Sequence, residues 1–149
     1  MEFAHSLREA RLAAGLSQAD LARRAGTSQA RLSSYENGSV IPTPGTQERL
    51  QQAARPLPSI VLDLHRDEVK RLAATHKLGN VRVFGSVARG QDTLSSDVDL
   101  LVTPNLVASL LDLSAFAADV EDLLGYEVDV TSDRGVSPES SIARDALFL

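Results

Sequence analysis

Cysteine is absent from the 149 residues, which removes disulfides and thiolate-bound zinc and leaves oxygen and imidazole groups as metal ligands. A hard cation is the kind of metal such a chain can hold. Also missing is any apolar run close to the ~20 residues that cross a bilayer. The opening stretch MEFAHSLREA has neither the basic segment nor the apolar core of a secretory leader. The expectation is a cytoplasmic protein with no membrane partner. No internal repeat or low-complexity tract interrupts the chain. What is present is ordinary: 43% hydrophobic and 23% charged residues, enough apolar surface to build a core and far from the composition of disordered chains.

The net charge of -5 is unevenly spread. Residues 1–56 carry seven arginines against five acids, a balance of +2, whereas residues 57–149 carry eight basic and fifteen acidic residues, a balance of -7. A front that meets a polyanion and a rear that meets cations would account for this asymmetry. The break falls at Arg55-Pro56-Leu57-Pro58, where two prolines remove backbone donors and push the residues before them out of the helical region. Two domains are expected, one over residues 1–56 and one over 59–149.

Before the break, turn signals separate four short helices. Leu7, Leu12 and Ala13 lie on a first helix ending near Gly15, and Ser17 is placed to cap a second that carries Leu21 and Ala22. After Gly26, Ser28 can cap a third helix through Leu32 to Tyr35, closed by Asn37-Gly38, and Thr43 or Thr46 starts a fourth with Leu50 and Ala54. Short helices joined by a tight Gly-containing turn form a helix-turn-helix arrangement.

After the break, helices and strands alternate. A helix capped by Ser59 would carry Leu62, Val69, Leu72 and Ala73, and Val81 to Phe84 reads as a strand. A second strand is expected at about Val98–Val102. Leu106, Leu110, Leu113, Ala117, Val120 and Leu124 recur at helical spacing and predict one continuous apolar face. Gly125 ends that helix, Tyr126–Val130 alternates as a third strand, and Ser137-Pro138 is expected to open a last helix. The fold class that follows is an all-α helix-turn-helix N-terminal domain followed by an α/β C-terminal domain with a small mixed sheet.

Three carboxylates stand out. Strand side chains alternate faces, so Asp97 and Asp99 share one face while Val98 and Leu100 enter the core. Two like charges so close raise one pKa unless a cation neutralises them. Mg²⁺ suits such a pair because it accepts one or two carboxylates, keeps waters, and recruits substrate phosphates. Asp129, between Val128 and Val130 on another strand, is placed to add a third carboxylate. Upstream, Gly85-Ser86 sits where a strand turns into a short helical segment, where a glycine permits close backbone approach and a helix start offers N–H groups to phosphate. Ser86 supplies a hydroxyl, and Arg89 one turn later supplies a fork of donors.

The stretch VRVFGSVARGQDTLSSDVDLLV, with Gly85-Ser86, a ten-residue spacer and Asp97-Val98-Asp99, resembles the signature of the polymerase-beta-type nucleotidyltransferases. With so little else in the domain, it is most similar to the minimal nucleotidyltransferases that act as antitoxins to HEPN-type ribonuclease toxins. The resemblance implies transfer of a nucleoside monophosphate, AMP in the leading reading, from a nucleoside triphosphate such as ATP to a hydroxyl. On that basis Asp97 and Asp99 bind Mg²⁺, with two ions expected, Asp129 completes the metal site and helps activate the acceptor, and Gly85, Ser86 and Arg89 hold phosphates. The residue after Gly-Ser, often basic in that family, is Val87 here, so one phosphate contact of the family is not carried over.

The front of the chain, LREARLAAGLSQADLARRAGTSQARLSSYENGSVIP, resembles the Cro/repressor-type (XRE) helix-turn-helix family. The resemblance implies a recognition helix over residues 28–36, starting at Ser28, with Gln29, Ala30 and Ser34 nearest base edges, Gln18 and Asn37 on phosphate, and Arg31 able to reach either. Tyr35 reads as a core anchor. His5, His65 and His76 show no ligand spacing and are expected on the surface or in helix packing.

Together the two resemblances imply an antitoxin that modifies a tyrosine of a HEPN-type toxin and binds operator DNA to repress the shared gene pair, compatible with a homodimer on a two-fold operator. The alternatives are a repressor and stoichiometric antitoxin with a vestigial catalytic site, and a small-molecule nucleotidyltransferase. The second is disfavoured because no further lobe is present to form an independent substrate pocket.

Overall fold

In the computed structural model, which describes residues 2–149, the chain divides into two compact units, Met1–Pro56 and Leu57–Leu149. The first is helical: α1 (Glu2–Ala13), α2 (Gln18–Ala25), α3 (Gln29–Glu36) and α4 (Pro44–Ala53). Local chemistry sets their ends. The Ser17 side chain accepts from the Asp20 N–H while Asp20 accepts from the Ser17 N–H, and Gly26 closes α2 in the left-handed region at φ 68°. Ser28 accepts from the Arg31 N–H to start α3, and Thr43, followed by Pro44 in the first turn, starts α4. One leucine from each helix meets at the centre: Leu7, Leu21, Leu32 and Leu50 are all buried, with Tyr35 beside them. Each such side chain contributes about 1.5–3 kcal/mol on burial.

A buried ion pair ties three of these helices together. Arg11 donates through Nε to Glu36 Oε1 at 2.6 Å and through Nη2 to Oε2 at 3.1 Å, and Gln18 Nε2 donates to the same Oε2 at 2.9 Å. Its third donor group, Nη1, reaches the Leu16 carbonyl at 2.8 Å, so the guanidinium is well satisfied away from water.

The second unit contains α5 (Pro58–Leu64), α6 (Arg66–Thr75), β1 (Leu78–Phe84), α7 (Gly85–Ala88), β2 (Val98–Pro104), α8 (Leu110–Leu124), β3 (Val128–Ser132), α9 (Ser141–Asp145) and β4 (Leu147–Phe148). Its strands form one sheet in the order β3-β2-β1-β4, with β1 antiparallel to β2 and β4, and β2 parallel to β3. The sheet is therefore mixed, and α8 is the crossover that a parallel pair requires. Val81, Val83, Val98, Leu100, Val102 and Val128 of the strands pack on Val69 and Ala73 of α6 and on Phe116, Val120 and Leu124 of α8. No helix among the described residues is long and apolar enough to cross a membrane.

Several expected boundaries are corrected. The helix read as starting at Ser59 is two helices, because the backbone leaves the helical region at His65 (φ -110°, ψ 18°). The first of them starts from Leu57 with Pro58 in its first turn, and the Ser59 N–H is instead taken by Asp92 Oδ2 at 2.8 Å. Strands β1 and β2 are longer than expected, and β3 begins at Val128 rather than Tyr126. The predicted apolar face from Leu106 to Leu124 is shorter than its periodicity suggested: α8 begins at Leu110, where Asp112 accepts from the Ser109 N–H, and Leu106 and Leu110 are 96% and 80% exposed. The last helix is capped by Ser140 rather than Ser137, and β4 after it was not foreseen.

Candidate active site

The acidic cluster is built on neighbouring strands. Asp99 of β2 is register-paired with Asp129 of β3 on one side and with Phe84 of β1, the residue before Gly85, on the other. Paired residues on adjacent strands project from the same face, so Asp99 and Asp129 stand side by side. Asp97 precedes β2 by one residue, and the next residue, Val98, opens the β2–β3 ladder by donating its N–H to the Glu127 carbonyl at 2.9 Å. The opposite face of the same residues, Val98, Leu100 and Val128, is core. Alternation thus forces the carboxylates away from the apolar layer. Asp97 and Asp99 are half-buried and Asp129 is exposed.

Burial raises the Asp99 carboxyl above its usual range, and the negative charges of Asp129 and Asp97 raise it further, while the Arg89 guanidinium opposes them. Both neighbouring carboxylates are therefore within electrostatic reach of Asp99. Gly85 explains how the backbone approaches so closely. Its φ is +71°, a region that disfavours any side chain, and a Cβ placed there would overlap Asp99 Oδ2. The turn after β1 is thus pressed directly against the central carboxylate.

The donor set is all oxygen, and the like charges of Asp129 and Asp97 on Asp99 outweigh the opposing Arg89, which fits a hard divalent cation. Among the described residues no three acidic or imidazole side chains are gathered into a ready ligand shell. The expected ligand set of Asp97, Asp99 and Asp129 is thus not drawn together by the side chains as they stand. An ion held by one or two of them would need water and substrate phosphate to complete its shell.

The phosphate side of the site differs in part from expectation. Helix α7 is a single turn of four residues, too short to sum a sizeable macrodipole, so the cradle rests on individual donors and on the close approach at Gly85. Ser86 is half-buried there, and Arg89 is exposed just after α7. Val87, where the resembled family often has a basic residue, is buried in the core, so no charge could sit at that position without desolvation. Sequence reasoning missed Asp145, whose Oδ2 accepts from Arg89 Nη1 at 2.9 Å. The two lie 56 positions apart, and no local pattern signals the pairing. Burial would raise the Asp133 carboxyl, but hydrogen bonds from Thr103 and from Arg82 at 2.7 Å hold it below the usual range.

In the helical unit, Ser28, Gln29, Ala30 and Arg31 at the start of α3 are exposed together with Asn37 after its end, while Ser34 is half-buried and donates to the Ala30 carbonyl at 3.2 Å. Gln18 is engaged with Glu36, Asn37 Oδ1 accepts from the Ser39 N–H at 2.9 Å, and Arg31 Nε donates to the Tyr35 hydroxyl at 3.0 Å.

Comparison with known proteins agrees with both units. Residues 2–55 match the helix-turn-helix domain and residues 62–146 match the nucleotidyltransferase domain. A Methanocaldococcus jannaschii chain named "Putative protein adenylyltransferase" is 36% identical over 76 residues, covering 48% of this chain and 82% of that one. "Protein adenylyltransferase MntA" of Thermococcus cleftensis is 33% identical over 87 residues, 58% of this chain and 83% of its own. A solved structure described as a "putative minimal nucleotidyltransferase" superposes with a TM-score of 0.56 at 41% identity, over 61% of this chain and 95% of the other. The chain belongs to the nucleotidyltransferase domain family, with a helix-turn-helix domain ahead of the transferase fold.

Proposed function

We propose that the second unit transfers AMP from ATP to a tyrosine hydroxyl of a HEPN-type toxin, and that the first unit binds operator DNA to repress the shared gene pair. The observation that carries the transferase reading is the direct pairing of Asp99 with Asp129 on adjacent strands, with the Gly85 backbone against Asp99. In this reading the tyrosine oxygen bonds to the α-phosphorus, the bond to the bridging oxygen breaks, and pyrophosphate leaves. Asp129, exposed beside Asp99, is placed to take the hydroxyl proton. Asp97 and Asp99 would hold Mg²⁺, which supplies neutralisation of the phosphate charge. Ser86 and Arg89 would hold the β- and γ-phosphates. The exposure of Asp129 leaves it within reach of a macromolecular acceptor, and two of the relatives carry the name protein adenylyltransferase.

For the first unit, support comes from the exposed start of α3 and the match to helix-turn-helix domains. Incubation of the purified chain with ATP labelled at the α-phosphate, Mg²⁺ and the toxin encoded by the neighbouring gene is expected to label the toxin. Asp97→Asn is expected to reduce labelling below detection. Equal labelling by wild type and variant refutes the catalytic assignment and leaves a repressor that neutralises by binding alone.

A further inference from the structure

We propose that Asp145 is a positioning residue that presents the Arg89 guanidinium to the phosphates of the incoming nucleotide. The inference rests on the nucleotidyltransferase reading above and adds a residue from the far end of the chain. Arg89 follows the single turn of α7 and is bound at two points: Nη1 to Asp145 Oδ2 at 2.9 Å and Nε to Gln91 Oε1 at 3.1 Å. A guanidinium has five N–H donors in a fixed plane, so three remain for phosphate oxygens. Arg89 lies one turn after Gly85, whose backbone is pressed against Asp99, and its charge is felt by that carboxylate, so the guanidinium lies within electrostatic reach of the acidic face.

The carboxylate that holds it comes from a fixed scaffold. Asp145 is the last residue of α9, whose start is capped by Ser140 accepting from the Ala143 N–H at 3.2 Å. Two residues later Leu147 pairs with Val83 in the sheet, and the Leu149 N–H donates to the Val81 carbonyl at 3.1 Å. Backbone anchored on both sides therefore sets the carboxylate, which in turn sets an arginine that would otherwise sample many rotamers. The side chains are 47% and 29% exposed, and a pair this open adds little to folding stability. Its consequence is orientation.

Charge and orientation predict opposite signs. If Asp145 acted only through its negative charge, or competed with phosphate for Arg89, removing it would tighten ATP binding. If it orients Arg89, removing it weakens binding by about three- to tenfold, the factor expected when one rotamer-rich side chain must be ordered by the ligand itself. Calorimetric titration of the full chain with ATP and Mg²⁺ separates these, because it needs no acceptor protein. Asp145→Ala is expected to weaken binding by that factor, with an unchanged melting temperature, while Asp145→Asn, which keeps an acceptor oxygen, restores much of the loss. The Arg89→Ala, Asp145→Ala double variant is expected to bind no more weakly than Arg89→Ala alone. An alanine variant at position 145 that binds as tightly as wild type or tighter, or losses that simply add in the double variant, overturns the positioning role. Wild type that takes up no ATP with Mg²⁺ fails the functional reading itself, and this inference with it.

Discussion

Asp99 carries two opposing demands. It sits on an inner strand of the sheet, paired with Asp129 and pressed by Gly85, and both burial and its acidic neighbours push its pKa upward. A folded-state pKa above the unfolded value means that the fold disfavours the ionised form. The stability that follows is present below the ordinary carboxylate range and is lost as pH rises through the raised value. Asparagine at this position carries no charge at any pH, so Asp99→Asn is expected to melt a few degrees above wild type near neutrality in the presence of a chelator, while losing transfer activity. As pH rises from about 4, the ordinary carboxylate value, through the raised value of Asp99, the difference in melting temperature should grow from near zero to its full size, and Mg²⁺ should shrink it by relieving wild type alone. A difference that does not vary with pH would show that the site stores no charge repulsion. Active sites often trade stability for function in this way.

Elements show where sequence patterns carry structural information and where they stop. Caps were legible because they are local: Ser17, Ser28 and Thr43 each reach an N–H only three residues ahead. Period-two alternation placed Asp97, Asp99 and Asp129 opposite the core for the same reason. The start of α8 was not legible, since leucine spacing records which side chains would share a face and not whether a sheet lies beneath them. The two-residue strand β4 and the Arg89–Asp145 pair depend on contacts across more than fifty residues, and the Arg11–Glu36 pair on contacts across 25. Period and propensity hold no information about such partners. The distinction has a measurable consequence on α8. Phe116 is fully buried against the sheet and Leu110 is 80% exposed. Urea denaturation is expected to give a loss of about 3–5 kcal/mol for Phe116→Ala and a change within about 0.5 kcal/mol for Leu110→Gln. Comparable losses for the two would restore the longer face that periodicity alone predicts.

At the scale of the whole molecule, two cores with no residue in common imply two cooperative transitions on heating, since each unit buries its own apolar layer. Ligands that bind one native unit stabilise only that unit. ATP with Mg²⁺ at about a hundredfold above its Kd is expected to add roughly 2.7 kcal/mol to the transition of the acidic second unit. Operator DNA is expected to raise the other. The first unit carries a balance of only +2, and one of its seven arginines, Arg11, is buried against Glu36. Few phosphates can therefore be neutralised, so the DNA-induced shift should decline with added salt along a shallow slope. Glu36→Gln identifies which transition is which: it leaves Arg11 without its buried counter-charge and lowers the first unit's melting, by an amount that a broken buried pair sets at about 3–5 kcal/mol. Differential scanning calorimetry of the wild type and of this variant, each alone and with ATP and Mg²⁺, decides the matter. Two transitions, one moved by Glu36→Gln and the other by the nucleotide, are the expected result, whereas a single transition moved equally by both would mean that the helix-turn-helix and nucleotidyltransferase domains unfold as one cooperative unit.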